Sequence, residues 1–217
     1  MRGQLYVISG PSGVGKGTVV SEFLKNNKEV FLSVSATTRA KRNGEEEGVN
    51  YYYKTQEEFV KMIENNEFME WAQFCNNYYG TPKATVEKIL DSGKDVILEI
   101  EVQGAMQVKK NFPESIFVFV LPPSISELEK RLVNRGTESE EVVKLRIETA
   151  KKEIAYAKEY DYLLVNDTVL ETVEKLSGII ASERCKTERI IDELEVLKWF
   201  LKNFRNLLKK QDQDTVL

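Results

Sequence analysis

The chain has 217 residues, of which 41% are hydrophobic and 30% are charged, and its formal net charge is −4. This balance suits one compact soluble domain with insertions, or a core with two small mobile lobes, and it excludes a basic nucleic-acid-binding protein. The sequence contains no histidine, which excludes Ser-His and Cys-His nucleophilic catalysis as well as histidine-based metal sites.

Neither export nor membrane insertion is expected from the sequence. There is no apolar run of about eighteen residues, and Met1-Arg2-Gly3 leads directly into a predicted strand, which leaves no room for a signal peptide. The two cysteines, Cys75 and Cys185, provide neither a disulfide framework nor metal-ligand spacing. We therefore expect a cytoplasmic protein that binds neither a membrane nor nucleic acid.

Five short apolar runs predict buried parallel strands, at residues 4–9, 30–35, 95–101, 115–121 and 162–166. Helix-like segments separate most of these runs, and such alternation is typical of an α/β layer fold. Two stretches interrupt it. Residues 36 to about 81 are charged and rich in tyrosine, which indicates an inserted lobe, and residues 126 to about 147 indicate a second, helical insertion.

A glycine-rich turn lies between the first predicted strand and a helix-like segment. Its residues are Gly10, Pro11, Ser12, Gly13, Val14, Gly15, Lys16, Gly17 and Thr18. Such glycines let successive backbone N–H groups converge on a phosphate, and the helix N-terminus adds partial positive charge. The lysine would reach the outer phosphates, and the hydroxyl stands one position later than in the commonest pattern. The turn predicts a phosphate-binding loop (P-loop) for ATP or GTP.

Short capping patterns predict several helix starts. Capping boxes begin at Thr55, Ser126 and Thr137. Thr81-Pro82 offers an N-cap followed by proline at the first helical position.

A second group of candidate binding residues follows the second predicted strand. Arg39 and Arg42 stand three residues apart, and two forked guanidinium groups can clamp a phosphate. Both could equally be solvated surface charges, which is the usual situation of arginine. The tyrosines that follow, at positions 51–53, 78 and 79, could form packed strands or a binding surface.

Taken together, these stretches closely resemble the guanylate kinase family. The similarity covers roughly residues 3–182 and is carried, in order, by GPSGVGKGT, SVSATTRAKRNGEEEGVNYYY, EFMEWAQFCNNYYGTP, ILEIEVQGA, RLVNRGTESEEVVKLR and VND. The resemblance implies an α/β P-loop kinase with a five-stranded parallel core (residues 1–35 and 82–182), an inserted mixed α/β GMP-binding lobe (about 36–81) and a helical lid (about 126–147). It also implies transfer of the γ-phosphoryl group of ATP to GMP with Mg²⁺, which gives ADP and GDP and recycles GMP in purine nucleotide metabolism.

The resemblance assigns substrate roles by position. It implies that the guanine is read by Ser35, Glu70, Thr81 and Glu101. The GMP phosphate would be held by Arg39, Arg42, Tyr51 and Tyr79.

Catalytic and metal roles are implied in the same way. The catalytic set would be Lys16, Arg39, Arg135 and Arg146, the last two from the lid. The magnesium ion would be held by Thr18 and, through water, by Glu99. Many relatives have aspartate at position 99, at position 101 or at both, so the division of roles between Glu99 and Glu101 stays open. Both could also be solvated carboxylates that end a strand.

Two other functions remain open at this point. A guanylate-kinase-like binding module would use the fold to recognise peptides, but such modules tend to have degraded phosphate loops, whereas Lys16 is present here. A related kinase could act on AMP, on another nucleoside monophosphate or on a phosphorylated sugar. The set Ser35, Glu70 and Glu101 disfavours that alternative.

Residues 183–217 form an extension beyond the region of similarity. Apolar residues there step by four and three, as in a heptad seam: Ile190, Leu194, Leu197, Leu201, Phe204 and Leu208. The seam could be a helix packed on its own domain, a helix that forms a homodimer, or a basic helix on a membrane surface. We expect a monomer or a homodimer, with a disordered end at residues 211–217.

Overall fold

The structure is a computed structural model, and it describes residues 2–74, 76–134, 140–191, 194–201 and 203. Residues 2–175 form one compact unit, and the residues from Leu176 onward form a second. The elements in chain order are β1 (Leu5–Ser9), α1 (Lys16–Asn26), β2 (Val30–Leu32), β3 (Ala36–Thr37), β4 (Tyr52–Tyr53), α2 (Gln56–Glu64), β5 (Phe68–Phe74), β6 (Asn77–Pro82), α3 (Lys83–Asp91), β7 (Asp95–Glu99), α4 (Val102–Asn111), β8 (Ile116–Leu121), α5 (Ile125–Asn134), α6 (Glu140–Ile154), a 3₁₀ turn (Ala155–Glu159), β9 (Tyr162–Val165), α7 (Val169–Arg184) and α8 (Thr187–Ile190). In the described part of the chain, no helix is both long enough and apolar enough to cross a membrane.

The predicted parallel sheet is confirmed, with the strand order β2-β7-β1-β8-β9. Every residue of β1 is buried, as are the first five residues of β8. Strands covered on both faces read as continuous apolar runs, which is why these segments could be recognised in the sequence. The core next to them includes Val7, Leu98, Phe117 and Phe119.

Two predicted strands end two or more residues earlier than expected. The second predicted strand ends at Leu32, although the N–H of Ser33 still donates to the carbonyl of Ile97 at 2.9 Å. From there the chain leaves the parallel sheet and enters β3 of a second sheet. The predicted strand 95–101 ends at Glu99, because Glu101 is already the N-cap of α4.

The expected inserted lobe contains the second sheet, with the strand order β4-β3-β6-β5. It is a mixed sheet: β3 pairs with β4 in parallel and with β6 in antiparallel direction. Helix α2 closes the lobe's small core, where the fully buried ring of Phe59 stacks on Phe68 at a centroid distance of 4.3 Å. The predicted capping box at Thr55 is confirmed, with both of its hydrogen bonds present.

Two other predicted helix starts are wrong. Helix α5 begins at Ile125, two residues before the predicted start, and the hydroxyl of Ser124 accepts the N–H of Glu127 at 3.1 Å. Thr81 does not cap α3, because it still lies in β6 and the N-cap position is taken by Pro82; its hydroxyl donates to the buried carboxylate of Glu70. The box predicted at Thr137 lies outside the described residues.

The unit that begins at Leu176 contains the rest of α7 and α8. Leu176, Ile180 and Glu183 are buried, and Glu183 pairs with Lys186 at 2.9 Å. Large apolar side chains farther along are exposed, namely Leu194, Val196, Trp199, Phe200 and Leu201. Phe204, Leu208 and the end predicted to be disordered lie outside the described residues.

Candidate active site

The glycine-rich turn joins β1 to α1 at the carboxyl edge of the parallel sheet. Gly13 and Gly15 have φ values of 89° and 91°, a left-handed conformation that side chains other than glycine's rarely adopt. A Cβ on Gly15 would also lie 2.6 Å from Nδ2 of Asn166. The glycines thus allow the turn to curl tightly in front of α1, as a phosphate-binding loop requires.

Lys16 is the first residue of α1, and its side chain turns back over the loop. Its Nζ donates to the carbonyl oxygens of Gly10 and Pro11 at 2.6 and 3.2 Å. These bonds hold the ammonium group at the loop, where it could neutralise the charge of a bound phosphate.

Glu99 ends β7 and is the register partner of Ile8 in the neighbouring strand β1. Its carboxylate lies against the loop, since a Cβ on Gly17 would be 3.3 Å from its Oε1. Burial raises the pKa of Glu99, and the positive charge of Lys16 opposes that shift. A partly buried carboxylate is therefore placed beside the P-loop lysine.

Two residues that were not predicted as site residues support the loop through hydrogen bonds that begin at the edge strand β9 and at α5. The buried amide of Asn166, directly after β9, donates from Nδ2 to the carbonyl of Val14 at 2.7 Å. The guanidinium of Arg131, on α5, donates to the carbonyl of Asn166 at 3.1 Å. The sequence signal for Asn166 was the VND motif, but the contact joins residues 152 positions apart.

Helix α6 reaches the loop at Ser12. Nη1 of Arg146, a predicted catalytic residue, donates to the hydroxyl of Ser12 at 3.3 Å. The carboxylate of Glu153, which was not predicted, lies near Ser12. Burial and the charge of Glu101 raise the pKa of Glu153, and Lys16 and the backbone N–H of Ser12 oppose them. Arg135, the other predicted lid arginine, lies outside the described residues.

A pocket of about 270 Å³ opens between the two sheets. It brings together six of the predicted site residues, namely Ser35, Tyr51, Glu70, Tyr79, Glu99 and Glu101. Because Glu99 lines this pocket and its carboxylate also lies close to Gly17 of the P-loop, the pocket and the loop are adjacent.

Glu70 is the buried carboxylate of this pocket, with only 7% of its surface exposed. Its Oε1 accepts the Thr81 hydroxyl at 2.7 Å. Burial raises the pKa of Glu70 to about 6; the negative charge of Glu101 adds to the shift, and the hydrogen bonds from Thr81 oppose it. On the other side, a Cβ on Gly104 would lie 2.6 Å from its Oε2, so α4 approaches the carboxylate as closely as a glycine allows.

The structure places the two predicted phosphate-binding arginines, Arg39 and Arg42, in different surroundings. The guanidinium of Arg39 forks onto the carboxylate of Glu45, with Nη2 to Oε1 at 2.7 Å, and lies 5.3 Å from the ring centre of Tyr51. Arg42 is exposed, and its backbone N–H donates to the same Glu45 at 2.8 Å. The rings of Tyr51 and Tyr79 meet edge to face at 6.2 Å. Arg39 and these tyrosines therefore form one cluster. Glu45 was not predicted as a site residue, because in the sequence nothing distinguishes it from the two glutamates that follow it.

Comparisons with known proteins identify the family of this chain. The family model described as guanylate kinase matches residues 2–183. The guanylate kinase of Halalkalibacterium halodurans is 52% identical over 196 residues, which cover 90% of this chain and 96% of the relative. That of Clostridium tetani is 53% identical over 197 residues, which cover 91% of this chain and 94% of the relative.

A solved structure extends the likeness to three dimensions. The crystal structure of guanylate kinase from Anaplasma phagocytophilum matches with a TM-score of 0.70 and 35% sequence identity, covering 87% of this chain and 89% of that chain. With the family model spanning most of the sequence and about half of all residues shared with curated relatives, the chain belongs to the guanylate kinase family.

Proposed function

We propose that the P-loop and the pocket are the two halves of one active site, in which the γ-phosphoryl group of ATP is transferred to GMP. The observation that carries this proposal is the buried carboxylate of Glu70 in a pocket that shares Glu99 with the P-loop. Membership of the guanylate kinase family supports the same reaction, with GDP and ADP as products.

Glu70 explains the choice of guanine. The base presents N1–H and the N2 amino group as adjacent donors, and one carboxylate can accept both. Adenine has an acceptor at N1, so the same carboxylate would face a lone pair and stay unpaired in a buried site. Thr81 orients Glu70 through its hydroxyl, Ser35 can donate to the guanine O6, and Glu101 lies at the same pocket wall.

The cluster of Arg39, Tyr51 and Tyr79, with Arg42 on the adjoining turn, is suited to hold the phosphate of GMP. Guanidinium groups bind phosphate through paired N–H donors, and tyrosine hydroxyls donate without adding charge.

Phosphoryl transfer requires mainly alignment and charge neutralisation. We assign charge neutralisation on the ATP side to Lys16 and the P-loop N–H groups, with Arg135 and Arg146 contributed by the lid. The bond from Arg146 to Ser12 supports this assignment, because it already brings the α6 arginine to the loop. No strong base is needed, which agrees with the lack of histidine.

The residues at the loop also fit a magnesium ion. Mg²⁺ prefers oxygen ligands and usually keeps several waters. The exposed hydroxyl of Thr18 and the carboxylate of Glu99 supply such oxygens on either side of Gly17, and a cation would offset the burial that raises the pKa of Glu99. We propose that Thr18 binds the ion directly and Glu99 through water. When bound with ATP, the ion would neutralise the charge of the phosphates.

Turnover assays separate this function from the alternatives. The full chain is incubated with ATP, Mg²⁺ and, in turn, GMP, AMP, CMP or dUMP, and nucleoside diphosphate formation is measured. We expect GMP to be the preferred acceptor by a wide margin. Binding of GMP without turnover would indicate a binding module, and a preference for another nucleotide would indicate a different kinase.

The assembly state is a separate proposal. We infer a monomer, or a homodimer formed through the heptad seam predicted at residues 190–208. The exposed Leu194, Trp199 and Leu201 support the dimer, because large exposed apolar side chains mark interaction surfaces. Deleting residues 190–217 and measuring sedimentation decides between them: a dimer would become a smaller species with its GMP kinase activity intact. We place the reaction in the cytoplasm, where ATP and GMP are available.

A further inference from the structure

Glu45 is the centre of a hydrogen-bonded cluster beside the pocket. Its Oε1 accepts Nη2 of Arg39 at 2.7 Å, and its Oε2 accepts Nη1 of Arg39 at 3.1 Å. The same Oε2 also accepts the Tyr53 hydroxyl at 2.7 Å and the Arg42 backbone N–H at 2.8 Å. The Glu45 side chain is 18% exposed and that of Arg39 is 14% exposed, so both are largely covered by the lobe.

These contacts keep Glu45 ionised and in place. The hydrogen bonds from Arg39, Arg42 and Tyr53 lower the pKa of Glu45 to about 2. Two of its donors, the Tyr53 hydroxyl and the Arg42 backbone N–H, do not depend on the Arg39 side chain. The carboxylate would therefore remain fixed even if Arg39 moved.

The donors of Arg39 divide into a used edge and an unused edge. A guanidinium has five N–H donors. Nη1 donates to Glu45 and to the carbonyl of Ala40, the latter at 2.9 Å. Nη2 donates one of its two N–H groups to Glu45. Among the described residues, no acceptor meets Nε–H or the second N–H of Nη2. These two lie side by side, so they form a second fork that can bind another anion while the first fork holds Glu45.

We propose that Glu45 is a positioning residue for the phosphate of GMP: it holds Arg39 from behind, so that the free Nε–Nη2 fork is presented to the phosphate. This inference rests on the proposed function, in which Arg39 binds that phosphate. A flexible arginine would have to be ordered when GMP binds, and that ordering weakens binding. With Glu45 in place, the ordering is completed before the substrate arrives.

The opposite possibility is that Glu45 masks Arg39, that is, blocks it from the phosphate. In that case the carboxylate would occupy Arg39 until the phosphate displaced it, and its removal would strengthen GMP binding. The geometry favours positioning, because one fork of the guanidinium is left over and because Tyr53 and Arg42 hold the carboxylate independently.

The experiment compares two ligands that differ only in the phosphate. The dissociation constants of GMP and of guanosine are measured for the full chain and for Glu45→Gln, whose amide cannot match a guanidinium fork. We expect the Kd of GMP to rise about tenfold, which is about 1.4 kcal/mol. The Kd of guanosine should change by less than about twofold, as for substitutions away from the ligand.

Two variants complete the design. Glu46→Gln is the matched control, since its exposed side chain is the next residue along the same turn, and both constants should stay at the wild-type values. Tyr53→Phe removes one donor to Oε2 and leaves the carboxylate, so it should weaken GMP binding by a smaller factor and spare guanosine. If Glu45→Gln does not fold, the Kd values of GMP and guanosine for Tyr53→Phe decide instead: weaker binding of GMP alone would support the proposal.

Three results would overturn the proposal. Tighter GMP binding in Glu45→Gln would show a mask, and equal weakening for GMP and guanosine would show a general structural role in the lobe. Unchanged GMP binding would show that Arg39 needs no support. The proposed function is tested separately by turnover. The comparison of GMP with guanosine measures only binding, so it can be interpreted even if the wild-type protein binds GMP without phosphorylating it.

Discussion

Replacing Glu70 with glutamine should make the protein more stable and a poorer guanylate kinase. The substitution keeps the size of the side chain and an oxygen for the Thr81 hydroxyl, but it removes a negative charge from a site that is 7% exposed. Stability and substrate recognition should therefore change in opposite directions. A residue that only supports the lobe would not show this combination.

The stability change follows from the raised pKa. Burial, with the charge of Glu101, raises the pKa of Glu70 from 4.5 to about 6, and a difference of this size corresponds to about 2 kcal/mol. Because the folded pKa is the higher one, the stabilisation by this carboxyl group is present below pH 4.5 and is lost as the pH rises through about 6. At pH 7 the glutamine variant should thus be more stable than the wild type by up to about 2 kcal/mol.

The catalytic change follows from the lost acceptor. An amide offers one acceptor oxygen to the two donors of guanine, and a charge-assisted hydrogen bond contributes about 1.5–3 kcal/mol. We expect kcat/KM for GMP to fall roughly ten- to a hundredfold. AMP does not use the two-donor contact, so its kcat/KM should fall much less and the preference for GMP over AMP should narrow.

The assay measures kcat/KM for both nucleotides and urea unfolding at pH 7 and pH 4.5, for the wild type and for Glu70→Gln. An equal loss for GMP and AMP would refute the assignment of Glu70 as the base-reading residue. A variant that is less stable than the wild type at pH 7 would refute the argument from burial.

Three further predictions concern the same site. As the pH falls through about 6, kcat/KM for GMP should decline more steeply in the wild type than in Glu70→Gln, because the variant lacks this carboxyl group while the other titrating groups, including the GMP phosphate, are common to both; parallel profiles would exclude Glu70 as the titrating group. Lys16→Met should lower turnover by at least about a hundredfold with little change in melting temperature, because the ammonium serves the phosphates; near-wild-type turnover in the folded variant would contradict its role. Gly104→Ala should lower kcat/KM for GMP by roughly ten- to a hundredfold, because its Cβ would displace the Glu70 carboxylate. The control is Gly178→Ala in α7, where a Cβ meets no atom within 4 Å and activity should be unchanged.

The parallel sheet and the P-loop could be predicted because both are written in local patterns. Strands buried on two faces must be apolar along their whole length, as in Leu5–Ser9, and a tight phosphate loop needs glycine where φ is positive, as at Gly13 and Gly15. The capping box at Thr55 is local in the same sense, because all of its partners lie within three residues.

The wrong helix starts lie where a short polar residue matches a capping pattern but the folded chain begins the helix at another residue. Thr81 followed by proline has the pattern of a helix cap, yet its hydroxyl donates to Glu70, which is 11 residues away and belongs to another strand. Ser126 has a capping pattern as well, but the helix begins before it, with Ser124 bonded to the first turn. A short polar side chain has several possible partners, and only the folded chain decides which of them is near.

The sequence by itself determined the fold class, the glycine-rich loop and six of the residues that line the pocket, since each depends on residue type and order along the chain. Tertiary structure alone decided how these residues behave. Burial against Gly104 and the charge of Glu101 set the pKa of Glu70, and the packing of β7 beside β1 made Glu99 common to the pocket and the P-loop. It likewise decided that Arg39 is held by Glu45 with one fork left over. Electrostatic environment and hydrogen-bond geometry depend on distances between groups far apart in sequence, and those distances exist only after the chain has folded.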